Sequence, residues 1–253
     1  MKVSIVTVVL NSFSSLECCI SSVFLQDYKN IEYIIIDGGS TDGTITIINK
    51  YNSKIAYHTS ENDTSYYDAL NKGLAMTTGQ IIGVLNADDY LADTGVISSI
   101  VACFKLQDCD GVYGNLSFVS KNNPFKVTRE WRSMPFEALR FRFGWMPAHP
   151  TLYLKRAVYE DFGNYSLDFG SCSDYDLILR VFYENKLKAV FLDQFMVVMR
   201  AGGLSNGSLS KVLSAIYHDY RILVYHKMPF PVFVVLSKKV RKVGQFFIRR
   251  PRT

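Results

Sequence analysis

A chain of 253 residues, 48% of them hydrophobic, can fill a sizeable core as one large domain or two small ones, which excludes a disordered protein. No apolar run approaches the roughly 20 residues of a spanning helix, so a soluble, cytoplasmic body is expected; Cys18, Cys19, Cys103, Cys109 and Cys172 have neither CxxC nor zinc-like spacing and read as reduced thiols. The net charge of +5 is unevenly spread: nine basic residues and no acidic one follow Asp219, and the rest of the chain holds 19 basic against 23 acidic residues.

The opening segment, residues 3–8, is apolar and β-branched, too short for a secretory leader, and reads as a buried strand. Strands are predicted again over 31–37, 54–58 and 80–86, with helical spacing over 14–24, 42–51 and 65–76 between them. Alternation of this kind builds βαβ units on a mostly parallel sheet. Ser65 and Asp68, three apart, form a near capping box for the third helix, and Gly79 stands just beyond its end. After about Asn115 the pattern is less regular: strand-like stretches over 116–119 and 125–131, an aromatic and basic segment over 136–145, a helix over 174–185, and short strands over 189–192 and 195–199 before the Gly202-Gly203 turn. The division expected is 1–115, 116–205 and a helical basic tail over 206–253, with no linker-like composition between them.

Ligands of an open α/β sheet sit beyond the carboxyl ends of its strands. Three of those ends are polar here: 7–11, then Asp37-Gly38-Gly39-Ser40-Thr41-Asp42-Gly43, then Asn86-Ala87-Asp88-Asp89. The glycines permit a tight turn and close backbone approach, and the helix behind them favours an anion. An ordinary turn in which Ser40 or Asp42 caps the helix explains the second segment equally well. The adjacent acids Asp88 and Asp89 carry a like-charge cost that a divalent cation would relieve, since Mg²⁺ bridges carboxylate and phosphate oxygens.

Four segments taken together, Ser4-Ile5-Val6-Thr7, the run from Glu32 to Thr44, Tyr67-Asp68-Ala69-Leu70-Asn71-Lys72-Gly73, and Leu85-Asn86-Ala87-Asp88-Asp89, resemble the family 2 glycosyltransferases, which have the GT-A fold. The resemblance implies an inverting enzyme that uses a nucleoside-diphosphate sugar donor and Mg²⁺ or Mn²⁺. It points to Thr7, Val9, Asn11 and Asp37 for base and ribose, to Asp68 near base and diphosphate with helix capping as its alternative, and to Lys72 for phosphate charge. Asn86, Ala87 and Asp88 stand where the family carries Asp-x-Asp, so the motif has one charge fewer; Asp88 is the first metal ligand and Asp89 an outer-shell or loop-positioning acid. Ser173-Asp174-Tyr175-Asp176 resembles the family segment whose second acid is the general base, which is Asp174 here, with Ser173 replacing the first acid. Helix capping is the alternative for Asp174, and Asp176 is placed on the acceptor side; Arg180 is read as pairing with an acid of its own helix. His149, in Ala148-His149-Pro150, is expected to face acceptor or diphosphate, or else to be satisfied by backbone. Trp131, Phe141, Phe143 and Trp145 suit either sugar stacking or packing, and the loop Gly202-Gly203-Leu204-Ser205 suits a lid or a plain turn.

In the tail, Phe233, Leu236, Val240, Val243 and Phe247 recur at helical spacing from Pro231, with Lys238, Lys239, Lys242 and Arg249 largely elsewhere around the helix. That pattern fits an anionic membrane surface, through 231–253, and a glycan or polyprenyl-linked acceptor in bacterial surface polysaccharide synthesis. A helix packed on the body with a solvated basic face is the alternative. No nucleic acid partner is expected, because the aromatics do not interleave with the basic residues. Two other functions remain: a nucleotidyltransferase on sugar phosphates, which would carry a Gly-rich basic loop where this chain has Asn11-Ser12-Phe13-Ser14-Ser15, and a non-catalytic nucleotide- or glycan-binding module.

Overall fold

The protein, as a computed structural model, is described over residues 1–120, 123–200 and 209–245. β1 (Val3–Val9), β2 (Ile31–Asp37), β3 (Tyr57–Ser60) and β4 (Ile81–Val84) alternate with α1 (Phe13–Phe24), α2 (Thr44–Lys50) and α3 (Tyr66–Ala75). The four strands run parallel in the order β3, β2, β1, β4. Every residue of β1 is buried, because helices cover both faces of the sheet. Alternate side chains divide between two cores: Val6 and Val8 meet α3, while Val3, Ile5 and Val9 meet α1. Gly73 belongs to this packing, since a Cβ there would stand 2.5 Å from Val6 Cγ1.

The sheet continues through β5 (Tyr90–Leu91), α4 (Val96–Leu106), β6 (Gly111–Ser120), β7 (Asn123–Trp131), β8 (Tyr153–Lys155), α5 (Arg156–Phe162), α6 (Ser173–Ile178) and β9 (Ala189–Arg200). β8 lies antiparallel between β4 and β6, β9 runs parallel to β6, and β5 and β7 pair antiparallel to β9 and β6. The result is the expected α/β fold, parallel in its first half and mixed in its second, within one continuous sheet.

Several boundaries differ from the sequence pattern for local reasons. The strand predicted over 54–58 starts at Tyr57, because the amides of Lys54 and Ile55 bond back to the Tyr51 carbonyl and close α2 in a turn. The two strands predicted over 189–199 are one, its pairing with β6 made irregular around Asn115. The helix predicted from Asp174 begins at Ser173 and widens into a π-type turn over Leu179–Glu184. α4 has no counterpart among the predicted elements. The lid-like loop at 202–205 lies outside the described residues.

The tail forms α7 (Leu209–Tyr225) and α8 (Pro231–Gly244). α8 does pack on the body, but through Val234, Val235 and Lys238, whose Nζ sits 2.6 Å from buried Asp219 on α7 and 3.5 Å from the centre of the Tyr175 ring. Its predicted apolar stripe faces outward, with Phe233, Leu236, Val240 and Val243 52% to 71% exposed. Phe247, Arg249, Arg250 and Arg252 are outside the described residues.

Candidate active site

The carboxyl ends of β1 and β2 are sewn together by short polar side chains. Asn11, in a left-handed conformation at φ 49°, accepts from the Thr41 amide at 2.9 Å, and its own amide donates to Ser40 Oγ at 2.8 Å. Asp42 accepts from the amides of Thr44 and Phe13, both at 3.0 Å, so it closes an Asx turn ahead of α2 and holds the start of α1. Asp37 is fully buried and accepts from the Ser40 amide at 3.1 Å and from the hydroxyls of Ser40 and Ser60. Thr7 and Val9, expected to meet the base or ribose, do not reach the cleft: Thr7 Oγ1 donates to the Leu85 carbonyl at 2.7 Å, and the Val9 side chain lies in the core, as side chains of a central strand must.

The helix that follows β3 behaves similarly. Ser65 Oγ accepts from the Asp68 amide at 3.1 Å, and the Asp68 carboxylate accepts from the amide and hydroxyl of Thr64 at 3.1 and 2.8 Å. The Asp68 carboxylate is thereby engaged by Thr64, the residue before the N-cap. Lys72 is likewise held by Asp63 at 2.7 Å and Glu61 at 2.9 Å, ahead of any phosphate. Asp63, which the sequence reading passes over, sits near Gly38 with its Oδ2 buried and unpartnered.

After β4 the chain turns through Asn86 to Asp89. The Asn86 amide is occupied on both sides: Oδ1 accepts from the Tyr66 hydroxyl at 2.7 Å, and Nδ2 donates to Asp89 Oδ2 at 2.9 Å. It braces the loop between α3 and Asp89. The Ala87 methyl is in the core. Asp89 is 1% exposed, its Oδ1 has no hydrogen-bond partner, and burial together with the Asp88 charge pushes its carboxyl up to about 8. Asp88 itself is half-buried on the rim. Among the described residues no three carboxylate, imidazole or thiol groups converge as a metal cage. An ion here would take Asp88, with the orphaned oxygen of Asp89 behind it, and rely on phosphate oxygens and water for the rest. That donor set suits Mg²⁺ or Mn²⁺, which are commonly held by one or two carboxylates plus substrate phosphates.

Two consecutive tyrosines at the start of α3 carry this loop to the opposite wall. While Tyr66 donates to Asn86, the Tyr67 hydroxyl donates to Asp174 Oδ1 at 3.3 Å, and the two rings meet edge-on with centres 5.1 Å apart. Burial, then the charges of Asp89, Asp174 and Asp88, raise the proton affinity of the Tyr66 hydroxyl. Asn71 supports the arrangement by exchanging two hydrogen bonds with the Tyr165 backbone, at 2.8 and 3.1 Å, and the Tyr165 ring stacks on Tyr67. Two hydroxyl-bearing aromatics in the first turn of a capped helix at the cleft were the signal available in the sequence for these residues.

Asp174 makes no cap on α6. Its Oδ2 lies 2.9 Å from His149 Nδ1, so His149 is satisfied by a side chain, not by backbone. Burial works to raise the Asp174 carboxyl, but the charge and hydrogen bond of His149, with Lys238 further away, outweigh it and hold it below the usual carboxylate range. The Trp131 ring stands edge-on to His149, with centres 5.8 Å apart. Phe141 and Trp145 belong to the core, and Phe143 packs on Phe233 of α8. Asp176 is not on the acceptor side. Two residues beyond Asp174 it points some 200° around the helix, is 2% exposed, and meets Arg180 at 3.0 Å and His226 at 2.9 Å. His226, bridging Asp176 and Glu184, is held more basic than usual by these acids against the opposing effect of burial.

The family model described as glycosyl transferase family 2 matches residues 4–161. The PGL/p-HBAD biosynthesis glycosyltransferase of Mycobacterium tuberculosis is 28% identical over 214 residues, covering 82% of this chain and 80% of that protein. Among solved structures, residues 1–349 of S. aureus TarS in complex with UDP-GlcNAc align over 98% of this chain and 93% of theirs, with a TM-score of 0.65 and 14% identity. The longer TarS chain is covered only over 39% of its length. The mannosyltransferase PcManGT from Pyrobaculum calidifontis, in complex with GDP-Man and Mn²⁺, aligns over 94% of this chain and 68% of its own, with a TM-score of 0.67 and 16% identity. These likenesses identify the fold as that of GT-A glycosyltransferases.

Proposed function

Because this chain belongs to glycosyl transferase family 2 and is a glycosyltransferase, we propose that it catalyses inverting transfer of a sugar from a nucleoside-diphosphate donor to a glycan or polyprenyl-linked acceptor in surface polysaccharide synthesis. The observation that carries this reading is the tyrosine pair of α3, which links the Asp88 loop to Asp174 across one cleft. The donor diphosphate belongs on the Asp88 side. Mg²⁺ or Mn²⁺ held by Asp88, with Asp89 behind it, supplies charge stabilisation to the departing diphosphate when bound. The rigid 37–44 turn and Asn11 shape the nucleotide side through backbone, and the pair of Asp174 and His149 removes the acceptor proton on the other. Transfer to the opposite face of the sugar inverts the anomeric carbon. A screen of UDP-, GDP- and dTDP-sugars with Mn²⁺, read by mass analysis and by the anomeric proton coupling of the product, tests it; turnover of none, or retention of configuration, rejects it.

The acceptor reading draws on the tail. α7 exposes Leu213, Tyr217, Tyr220 and Val224, and the outward stripe of α8 comprises Val232, Phe233, Leu236, Val240 and Val243. Arg241 and Lys242 stand on the same helix, and no acidic residue follows Asp219 in the sequence. No helix among the described residues is long and apolar enough to cross a membrane. An apolar stripe flanked by cations suits the surface of an anionic bilayer. Deleting the tail would strip the buried Val234 and Lys238 from the body, so the informative variant is Leu236→Glu with Val240→Glu: flotation with phosphatidylglycerol vesicles is expected to be lost at unchanged melting temperature, and unchanged flotation rejects the surface.

A further inference from the structure

The family resemblance puts the transfer's base at Asp174, yet the geometry sets a second, more exposed titratable group against that carboxylate. Asp174 has both oxygens engaged, Oδ1 by the Tyr67 hydroxyl at 3.3 Å and Oδ2 by His149 Nδ1 at 2.9 Å. Its side chain is 17% exposed against 40% for His149. No described residue hydrogen-bonds His149 Nε2, and the edge of Trp131 limits how the ring can turn.

We propose that His149 Nε2 takes the proton from the acceptor hydroxyl and that Asp174 is a positioning residue, holding the imidazole through Nδ1. The inference rests on the reading of this cleft as an inverting transferase site. A carboxylate facing Nδ1 fixes the ring proton on that nitrogen and leaves the lone pair on Nε2, pointing away from Asp174. As a class, imidazole has the proton affinity nearest neutral pH, which is where a general base works best. In the step, the acceptor oxygen bonds to the anomeric carbon as the bond from that carbon to the diphosphate oxygen breaks, its electron pair leaving with the diphosphate. The acceptor proton moves to Nε2, the imidazolium so formed is paired with Asp174, and the exposed ring returns the proton to solvent.

The test uses the full chain and donor hydrolysis, with water as the acceptor and whichever UDP-, GDP- or dTDP-sugar the unaltered enzyme turns over fastest in Mn²⁺. His149→Ala should lower turnover by about 100-fold or more, while binding of the corresponding nucleoside diphosphate, read by calorimetry, stays within about twofold. Added imidazole and methylimidazoles should restore turnover to His149→Ala in proportion to their basicity, and should not restore it to Asp174→Asn. His149→Gln, which can still donate to Asp174 but cannot take a proton, should be as inactive as His149→Ala. Turnover of His149→Ala within about threefold of the unaltered enzyme, recovery in His149→Gln, or no basicity-dependent rescue would overturn the assignment and return the base to Asp174. A hydrolysis product that retains the anomeric configuration of the donor rejects the inverting reading itself, and this inference with it.

Discussion

The two ends of the same parallel strands treat a buried acid in opposite ways. At the amino ends, Glu32 accepts from Lys2 and Ser4 at 2.5 Å and from the amide and hydroxyl of Thr78 at 2.8 and 2.7 Å. Burial works against its charge, but these donors outweigh it and hold the carboxyl at about 2. At the carboxyl ends, Asp89 is pushed up to about 8 by burial and by Asp88. Both side chains are less than 10% exposed, but Asp89 lies deeper in the interior. Depth and the supply of donors together separate them. A carboxylate surrounded by the chain's own donors is a structural latch, and an acid pair left short of them is where a cation or a ligand has work to do.

The largest test of that contrast is Asp88→Asn. Mn²⁺-dependent binding of UDP or GDP, followed by calorimetry, should disappear, and donor turnover should fall by about 1,000-fold, comparable to losing a principal charge stabiliser. Retained metal-dependent binding would mean that the rim carboxylate is not the ligand.

Asn86→Asp sharpens the same point from the other direction. Restoring the family's Asp-x-Asp would replace the donor that Asn86 gives Asp89 with a third carboxylate. We expect a loss of about 2–4 kcal/mol of stability in chemical denaturation, by the cost of an uncompensated buried charge, with no gain in Mn²⁺ affinity. Tighter Mn²⁺ binding at unchanged stability would show instead that the thinned motif limits the site.

At the opposite end, Glu32→Gln should cost about 2–3 kcal/mol and leave nucleotide binding unchanged. The sign follows from its depressed pKa. The stabilisation is fully present above its ordinary value of 4.5 and is lost as pH falls through it toward 2. The unaltered protein should therefore lose stability more steeply than the variant between those pH values, as followed by circular dichroism; parallel curves would break the comparison. The smallest effect belongs to Lys72→Ala. With its amine held by Glu61 and Asp63, nucleotide affinity should change by less than about threefold, as for an exposed ion pair. A tenfold loss would place Lys72 on the phosphate after all.

Much of the donor half is legible before any coordinates. Its strands are buried on both faces and so read as continuous apolar runs, and its turns are written in Gly, Ser, Thr and Asp within a few residues of each other. The Asp42 turn ahead of α2 and the Ser65 cap on the Asp68 amide are interactions of that local kind. The functional meaning of those side chains is less legible. Thr7, Asp68, Lys72 and Asn86 sit at motif positions and look available, yet each is engaged by a neighbour that the motif does not name.

The tail shows the same limit at the scale of a helix. Period 3.6 identifies the apolar stripe of α8 but not which way it faces. Lys238 decides that, because its amine finds Asp219 and the Tyr175 ring on the body and turns the stripe outward.

By itself the sequence determined the order of strands and helices through β4, several of the turns that join them, and the family, because those depend on residues close along the chain and on the period of burial. Tertiary structure alone decided which acid meets which donor. Asp174 is paired with a histidine 25 positions back and a tyrosine 107 positions away, and Asp176, two residues on, is paired with a histidine 50 positions ahead. Whether a carboxylate ends as a latch, a rim ligand or an orienting partner depends on the donors that folding brings to it, and those lie too far off in sequence for any local pattern to specify.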